Sequence, residues 1–94
     1  MNNKQQEILV ITQEECAEVI QEISKCFRFG LDNNHKSGIP HREVLEQEIG
    51  DLLCMIDLCM QHQLITEDGI KKAKLKKVDK LRVFSKIFVD NDDK

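Results

Sequence analysis

The chain has no tryptophan, no tyrosine, one proline and four glycines in 94 residues. The absence of Trp and Tyr for base stacking, together with an acidic overall charge, makes a nucleic-acid partner the weakest reading. One proline and so few glycines leave little of the turn chemistry that a many-stranded β fold needs at each hairpin. No apolar run approaches the ~20 residues of a membrane span. The apolar run nearest the start, Ile8 to Ile11, is too short for the core of a signal peptide. Cys16, Cys26, Cys54 and Cys59 show no Cys-x-x-Cys spacing, so neither a zinc knuckle nor a redox pair is indicated. Reduced thiols on or beside buried helix faces, in a cytoplasmic protein, are the expectation.

Charge is what the chain has in quantity. One third of its residues are Asp, Glu, Lys or Arg and 40% are hydrophobic, a balance that suits a folded helical domain and argues against disorder. The net charge of −3 is unevenly placed. The stretch from Glu7 to Asp57 is acidic, whereas seven of the fourteen basic residues fall between Lys71 and Arg82. Such a division fits a site that holds a cation and a polyanion together. Ninety-four residues make one small domain with a modest core, so association with further copies is expected to complete it.

Hydrophobic spacing predicts three helices and no strand, hence an all-α bundle. The first runs from an N-cap at Asn3, with Gln6 in a capping-box position, to Phe27 or Arg28, and stops at Gly30. Leu9, Cys16, Val19, Ile20, Ile23 and Phe27 form its main apolar stripe. A bordering line, Ile8-Ile11-Glu15-Glu18-Glu22, begins apolar and turns acidic. Residues 30–39 read as a mobile loop, and Pro40 suits the first turn of a second helix that ends near His62. That helix is apolar round much of its circumference, which marks it as central. Asp57 interrupts it and calls for a partner. Thr66 caps a third helix, with Glu67 and Asp68 in its first turn. It runs to about Phe88 and buries Ile70, Ala73, Val78, Leu81 and Phe84. The five residues from 90 to 94 read as a frayed tail.

The second helix carries an anomaly. Leu45, Glu48, Leu52, Met55 and Cys59 recur at helical spacing on one face, which is apolar except at Glu48. Asp51 lies one turn on. A carboxylate on an apolar stripe is costly unless it is protonated, paired or bound to a cation. The first helix offers a matching pair, Glu15 and Glu18, one turn apart. Two helices side by side would bring four carboxylates together, and their repulsion in a low-dielectric groove calls for a hard divalent cation.

These residues resemble a known family. Glu14-Glu15-x-x-Glu18 followed by Glu48-x-x-Asp51 is similar to the signature of the MazG-like all-α nucleoside triphosphate pyrophosphohydrolases. The segments Glu14-Glu15-Cys16-Ala17-Glu18-Val19-Ile20-Gln21 and Glu48-Ile49-Gly50-Asp51-Leu52-Leu53 read as that family's two core helices, and Ala73-x-x-Lys76 with Lys80 resembles its basic third helix. The resemblance covers about residues 5–85. It implies a helical bundle completed as a homodimer or homotetramer. It further implies Mg²⁺, with Mn²⁺ as a substitute, held by Glu15, Glu18, Glu48 and Asp51, and cleavage of an NTP to NMP and pyrophosphate. Twenty-nine residues separate Glu18 from Glu48, longer than usual for the group, and Lys74 stands where the family often carries Asn.

Beside that resemblance, Lys25 and Arg28 beyond Glu18, and Lys76 and Lys80 on the third helix, are the expected phosphate contacts. Glu15 or Glu18 is expected to orient the attacking water. His35 and His41 flank the loop within reach of a substrate, and His62 suits the C-terminal dipole of the second helix. The alternative is a helical nucleotide- or protein-binding relative without turnover.

Overall fold

The computed structural model describes residues 1–34 and 36–89. His35 and the tail from 90 to 94, for which a substrate contact and a frayed end were expected, lie outside the described residues. Three helices account for the architecture: α1 (Asn3–Phe29), α2 (His41–Gln61) and α3 (Glu67–Phe84). No strand occurs among the described residues beyond an isolated bridge between Asn34 and Pro40. The chain is all-α, as its periodicity indicates, and among the described residues no helix is long and apolar enough to cross a membrane. It divides into two compact units, Met1–Leu64 with α1 and α2, and a second that starts at Ile65 and carries α3.

In the first unit α1 and α2 form an antiparallel hairpin. Its register is fixed by three contacts that close towards the loop. Gln5 Nε2 donates to His62 O at 2.8 Å, Thr12 Oγ1 lies 3.6 Å from Cys59 Sγ, and His41 Nδ1 lies 2.9 Å from Glu22 Oε2. The capping box of α1 sits one residue earlier than expected: Asn2 is the N-cap, bonded reciprocally with Gln5. Gly30 ends the helix with φ +88°, a conformation that side chains resist. Pro40 is the N-cap of α2 rather than part of its first turn.

The inward face of α1 differs from the expected stripe. Ile8 and Glu22 are buried, while Ile11, Thr12, Glu15, Val19 and Cys26 are half-buried. The line taken as a border is therefore the packing face. Of the stripe expected to be buried, Ile20 and Phe27 are 68% and 88% exposed, and Leu9, Cys16 and Ile23 are exposed as well. The two stripes lie side by side on one helix, and apolar count favoured the wrong one because the packing face carries two acids. On α2 the expected face holds: Cys59 is buried and Leu45, Glu48, Leu52 and Met55 are half-buried. Asp57 is exposed, so solvent satisfies it and the expected partner is not required. All four cysteines are free, but Cys16 and Cys54 are exposed rather than buried.

The described residues of the loop between the helices are bonded to the ends of both helices. The backbone N–H of His41 donates to Asn33 O at 3.0 Å and that of Arg42 to Leu31 O at 2.8 Å. Asn33 Nδ2 donates to Phe29 O, and Arg42 pairs with Asp32 at 3.0 Å.

In the second unit Thr66 caps α3, its hydroxyl accepting from the Gly69 N–H at 3.0 Å, with Glu67 and Asp68 following as expected. A Cβ on Gly69 would stand 2.9 Å from that hydroxyl, so glycine fits the cap. The helix ends at Phe84, four residues short of the expected Phe88, where Ser85 turns extended and its hydroxyl donates to Leu81 O. Ile70, Val78 and Leu81 are half-buried, whereas Ala73 and Phe84 are exposed rather than buried.

Candidate active site

The hairpin places the two acidic pairs opposite each other. Glu15 and Glu18 occupy consecutive turns of α1, Glu48 and Asp51 consecutive turns of α2. Antiparallel packing sets one pair against the other, and the electrostatics register it. Burial pushes the Glu15 carboxyl above the usual carboxylate range, followed by the charge of Glu18, a shared hydrogen bond with Glu18, and the charges of Asp51 and Glu48. Burial raises Glu48 likewise, then the charges of Glu18, Asp51 and Glu22, with Lys25 opposing them. All four expected acids therefore act on one another across the two helices.

One atom of this group is unusual. Glu15 Oε1 is buried and has no hydrogen-bond partner. Two ionised carboxylates cannot donate to each other, so Glu18 relieves Glu15 only when one of the two is protonated. An unpartnered buried carboxylate oxygen is the kind of group that a cation or a donor from a ligand satisfies. Glu18 and Asp51 are exposed, which leaves the cluster open to solvent. As the side chains stand, no three His, Cys, Asp or Glu residues among those described are grouped as ligands of a single ion. The fit to a divalent cation thus rests on the donor set and on the orphaned oxygen.

Two turns along α1 the same packing face carries a third acid with a different fate. Glu22 is 3% exposed and its carboxylate lies 2.9 Å from Nδ1 of His41, also 3% exposed. Cys26 Sγ donates weakly to the same oxygen at 3.9 Å, and burial with the Glu22 charge pushes the Cys26 thiol up. Phe29 stacks on the His41 ring with centroids 5.4 Å apart. His41, expected from sequence to flank the loop within reach of a substrate, is thus a core residue at the start of α2. Its pairing was legible in one respect. Glu22 lies seven residues after Glu15 and His41 seven before Glu48, so the register that opposes Glu15 to Glu48 also opposes Glu22 to His41.

Lys25 and Arg28 stand just beyond, at the loop end of the hairpin, where they line a cleft of about 470 Å³ with Phe29, Asn34, Lys36 and His41. Asn34 and Lys36 were missed, since a polar loop gives no periodicity from which to place them. Lys76 and Lys80 are exposed on α3 in the second unit. His62 is the C-cap of α2, and its carbonyl takes the bond from Gln5.

Compared with known proteins, the chain matches no family model, no curated protein and no solved structure.

Proposed function

We propose that the protein hydrolyses nucleoside triphosphates to a nucleoside monophosphate and pyrophosphate, with Glu15, Glu18, Glu48 and Asp51 holding Mg²⁺. The reading rests on one observation, the buried Glu15 Oε1 without a donor among acids from two helices. The family resemblance of the two acidic motifs adds the substrate class. When bound, Mg²⁺ (or Mn²⁺) supplies neutralising charge to phosphate oxygens and acidifies coordinated water.

The chain's own residues do the rest. Glu15 or Glu18 orients a water and accepts its proton on a carboxylate oxygen as the water oxygen bonds to the α-phosphorus. The bond from the α-phosphorus to the bridging oxygen breaks, and pyrophosphate leaves with that oxygen. Lys25 and Arg28 stabilise the charge that collects on the leaving group. Lys76 and Lys80 enter the proposal on sequence grounds, since a basic helix suits a polyanion. No covalent nucleophile is invoked, so attack by water is direct.

Oligomerisation belongs to the same proposal. Ile20, Phe27, Ile49 and Leu53 are exposed, and a 340 Å³ apolar groove joins Ile23, Cys26, Phe27 and Leu31 to Leu45. A second copy covering this side gives at least a homodimer. Light scattering at micromolar concentration checks it; a monomeric mass contradicts it.

Hydrolysis in ¹⁸O-labelled water tests the reaction. Label in the NMP phosphate is expected. An NDP product, or label in orthophosphate, would show attack at another phosphorus.

A further inference from the structure

The cleft at the loop end of the hairpin has a chemistry of its own. Lys25, Arg28 and Lys36 give its lining three formal positive charges, and none of the described lining residues is acidic. The nearest loop acid, Asp32, is engaged by Arg42 at 3.0 Å, and Glu22 is turned to His41. The neutral members are Asn34, whose amide can donate to an oxyanion, and the stacked rings of Phe29 and His41. Phe29 is already engaged twice, by the His41 ring and by the Arg28 guanidinium 4.8 Å from its centroid. It therefore serves as a wall that orients Arg28 better than as a free platform for a base.

Position matters as much as charge. Lys25 lies seven residues beyond Glu18, about 10 Å along the helix axis, and its charge is felt at Glu48. The acidic cluster and the basic cleft are therefore consecutive stations on the same helix, joined by Lys25. The loop that brings Asn34 and Lys36 to the cleft is held by the Asn34–Pro40 bridge, the bond from the His41 N–H to Asn33 O, and the buried Glu22–His41 pair at its root. The length of this connection gives room for Lys36, a third cation that α1 alone cannot supply.

We propose that the cleft is an oligophosphate site. On the pyrophosphohydrolase reading, from which this inference takes its substrate, the cleft receives the β- and γ-phosphates, and the nucleoside points away from the loop. The terminal phosphates carry most of the negative charge of a nucleoside triphosphate and suit three cations, while the less charged nucleoside does not need them. Lys25 spans the two stations, Arg28 and Lys36 grip the terminal phosphates, and Glu22 with His41 acts as the positioning pair that holds the loop in place.

Inorganic pyrophosphate is the probe, because it has no base and needs no turnover. Its binding to the full chain is measured by calorimetry for wild type, Arg28→Ala, Lys36→Ala, and Lys72→Ala on α3 as control, with circular dichroism to check the fold. Each cleft substitution is expected to weaken binding about tenfold, as loss of a bond to a charged group should, and the control to leave it unchanged. A nucleoside monophosphate should compete poorly. Failure of wild type to bind pyrophosphate, unchanged binding in both cleft variants, or competition by the monophosphate that Arg28→Ala abolishes would each overturn the inference. The two readings separate cleanly. Pyrophosphate bound in the cleft without any triphosphate hydrolysis refutes the proposed reaction alone. Hydrolysis with unchanged KM in the Arg28→Ala, Lys36→Ala double variant refutes the oligophosphate cleft alone.

Discussion

Glu15 and Glu22 stand two turns apart on the same inward line of α1, and they meet opposite environments. Glu22 faces His41 at 2.9 Å, with Cys26 behind it and Phe29 stacked on the histidine. Glu15 faces Glu18, Glu48 and Asp51, and one of its oxygens is buried with no partner. A buried acid with a matched partner holds two helices in register. A buried acid among like charges loosens the apo fold and is retained where a ligand relieves it. Within one hairpin, partner chemistry thus separates an acid that serves the fold from an acid proposed to serve the reaction.

Substitution should break this comparison in two different ways. Glu15→Gln and Asp51→Asn are each expected to lower turnover at least about 100-fold, more than the loss of an outer-shell partner usually costs a metal site. The helical circular dichroism should stay intact, and the cation-free protein should be no less stable, since each change removes one repelling charge. If Glu15→Gln instead destabilised the fold while turnover persisted, Glu15 would be a structural acid like Glu22.

The second pair should respond in stability. His41→Ala leaves Glu22 buried without its partner and is expected to cost about 3 kcal/mol in urea unfolding. The Glu22→Leu, His41→Leu double variant should recover part of that loss, because no unpaired polar group is then left in the core. Equal losses in single and double variants would mean that packing, not pairing, is what His41 contributes.

A smaller effect lies in the pH dependence of the cation-free protein. Glu15 and Glu48 are both raised in the folded state, so the folded chain keeps protons that the unfolded chain has lost. The stability tied to those protons is fully present below the ordinary glutamate range. It is lost as pH rises through the raised folded values. A Glu48→Gln variant cannot ionise there. Its stability relative to wild type should rise with pH across that window, as followed by denaturant midpoints at each pH. A difference that stays flat would remove the electrostatic account of the cluster. The smallest expected effect belongs to Cys16→Ala. The thiol is exposed and sits inside the Glu15–Glu18 pair, but direct water attack has no use for it, so turnover should stay within about twofold.

Much of this comparison was legible in the sequence. The three helices, the face Leu45-Glu48-Leu52-Met55-Cys59 and the two acidic pairs all follow from period 3.6, which local spacing carries in full. The packing face of α1 was misread for a physical reason. Apolar residues mark a buried stripe only when burial is all the chain needs, and here the inward stripe contains Glu15 and Glu22. The loop was read as mobile because its ties, such as the bond from the Arg42 N–H to Leu31 O, are made by the backbone and leave no pattern in residue type. The exposed apolar stripe with Ile20 and Phe27 is the surface that the proposed second copy would cover.

Divalent-cation binding by the acids around Glu15 is what the proposed function depends on. Calorimetric titration of Mg²⁺ into wild type, Glu15→Gln and the surface control Glu46→Gln tests it most directly. Saturable binding by wild type and the control, and its loss in a folded Glu15→Gln, is the predicted result. Binding that survives in Glu15→Gln, or none in wild type, would contradict it.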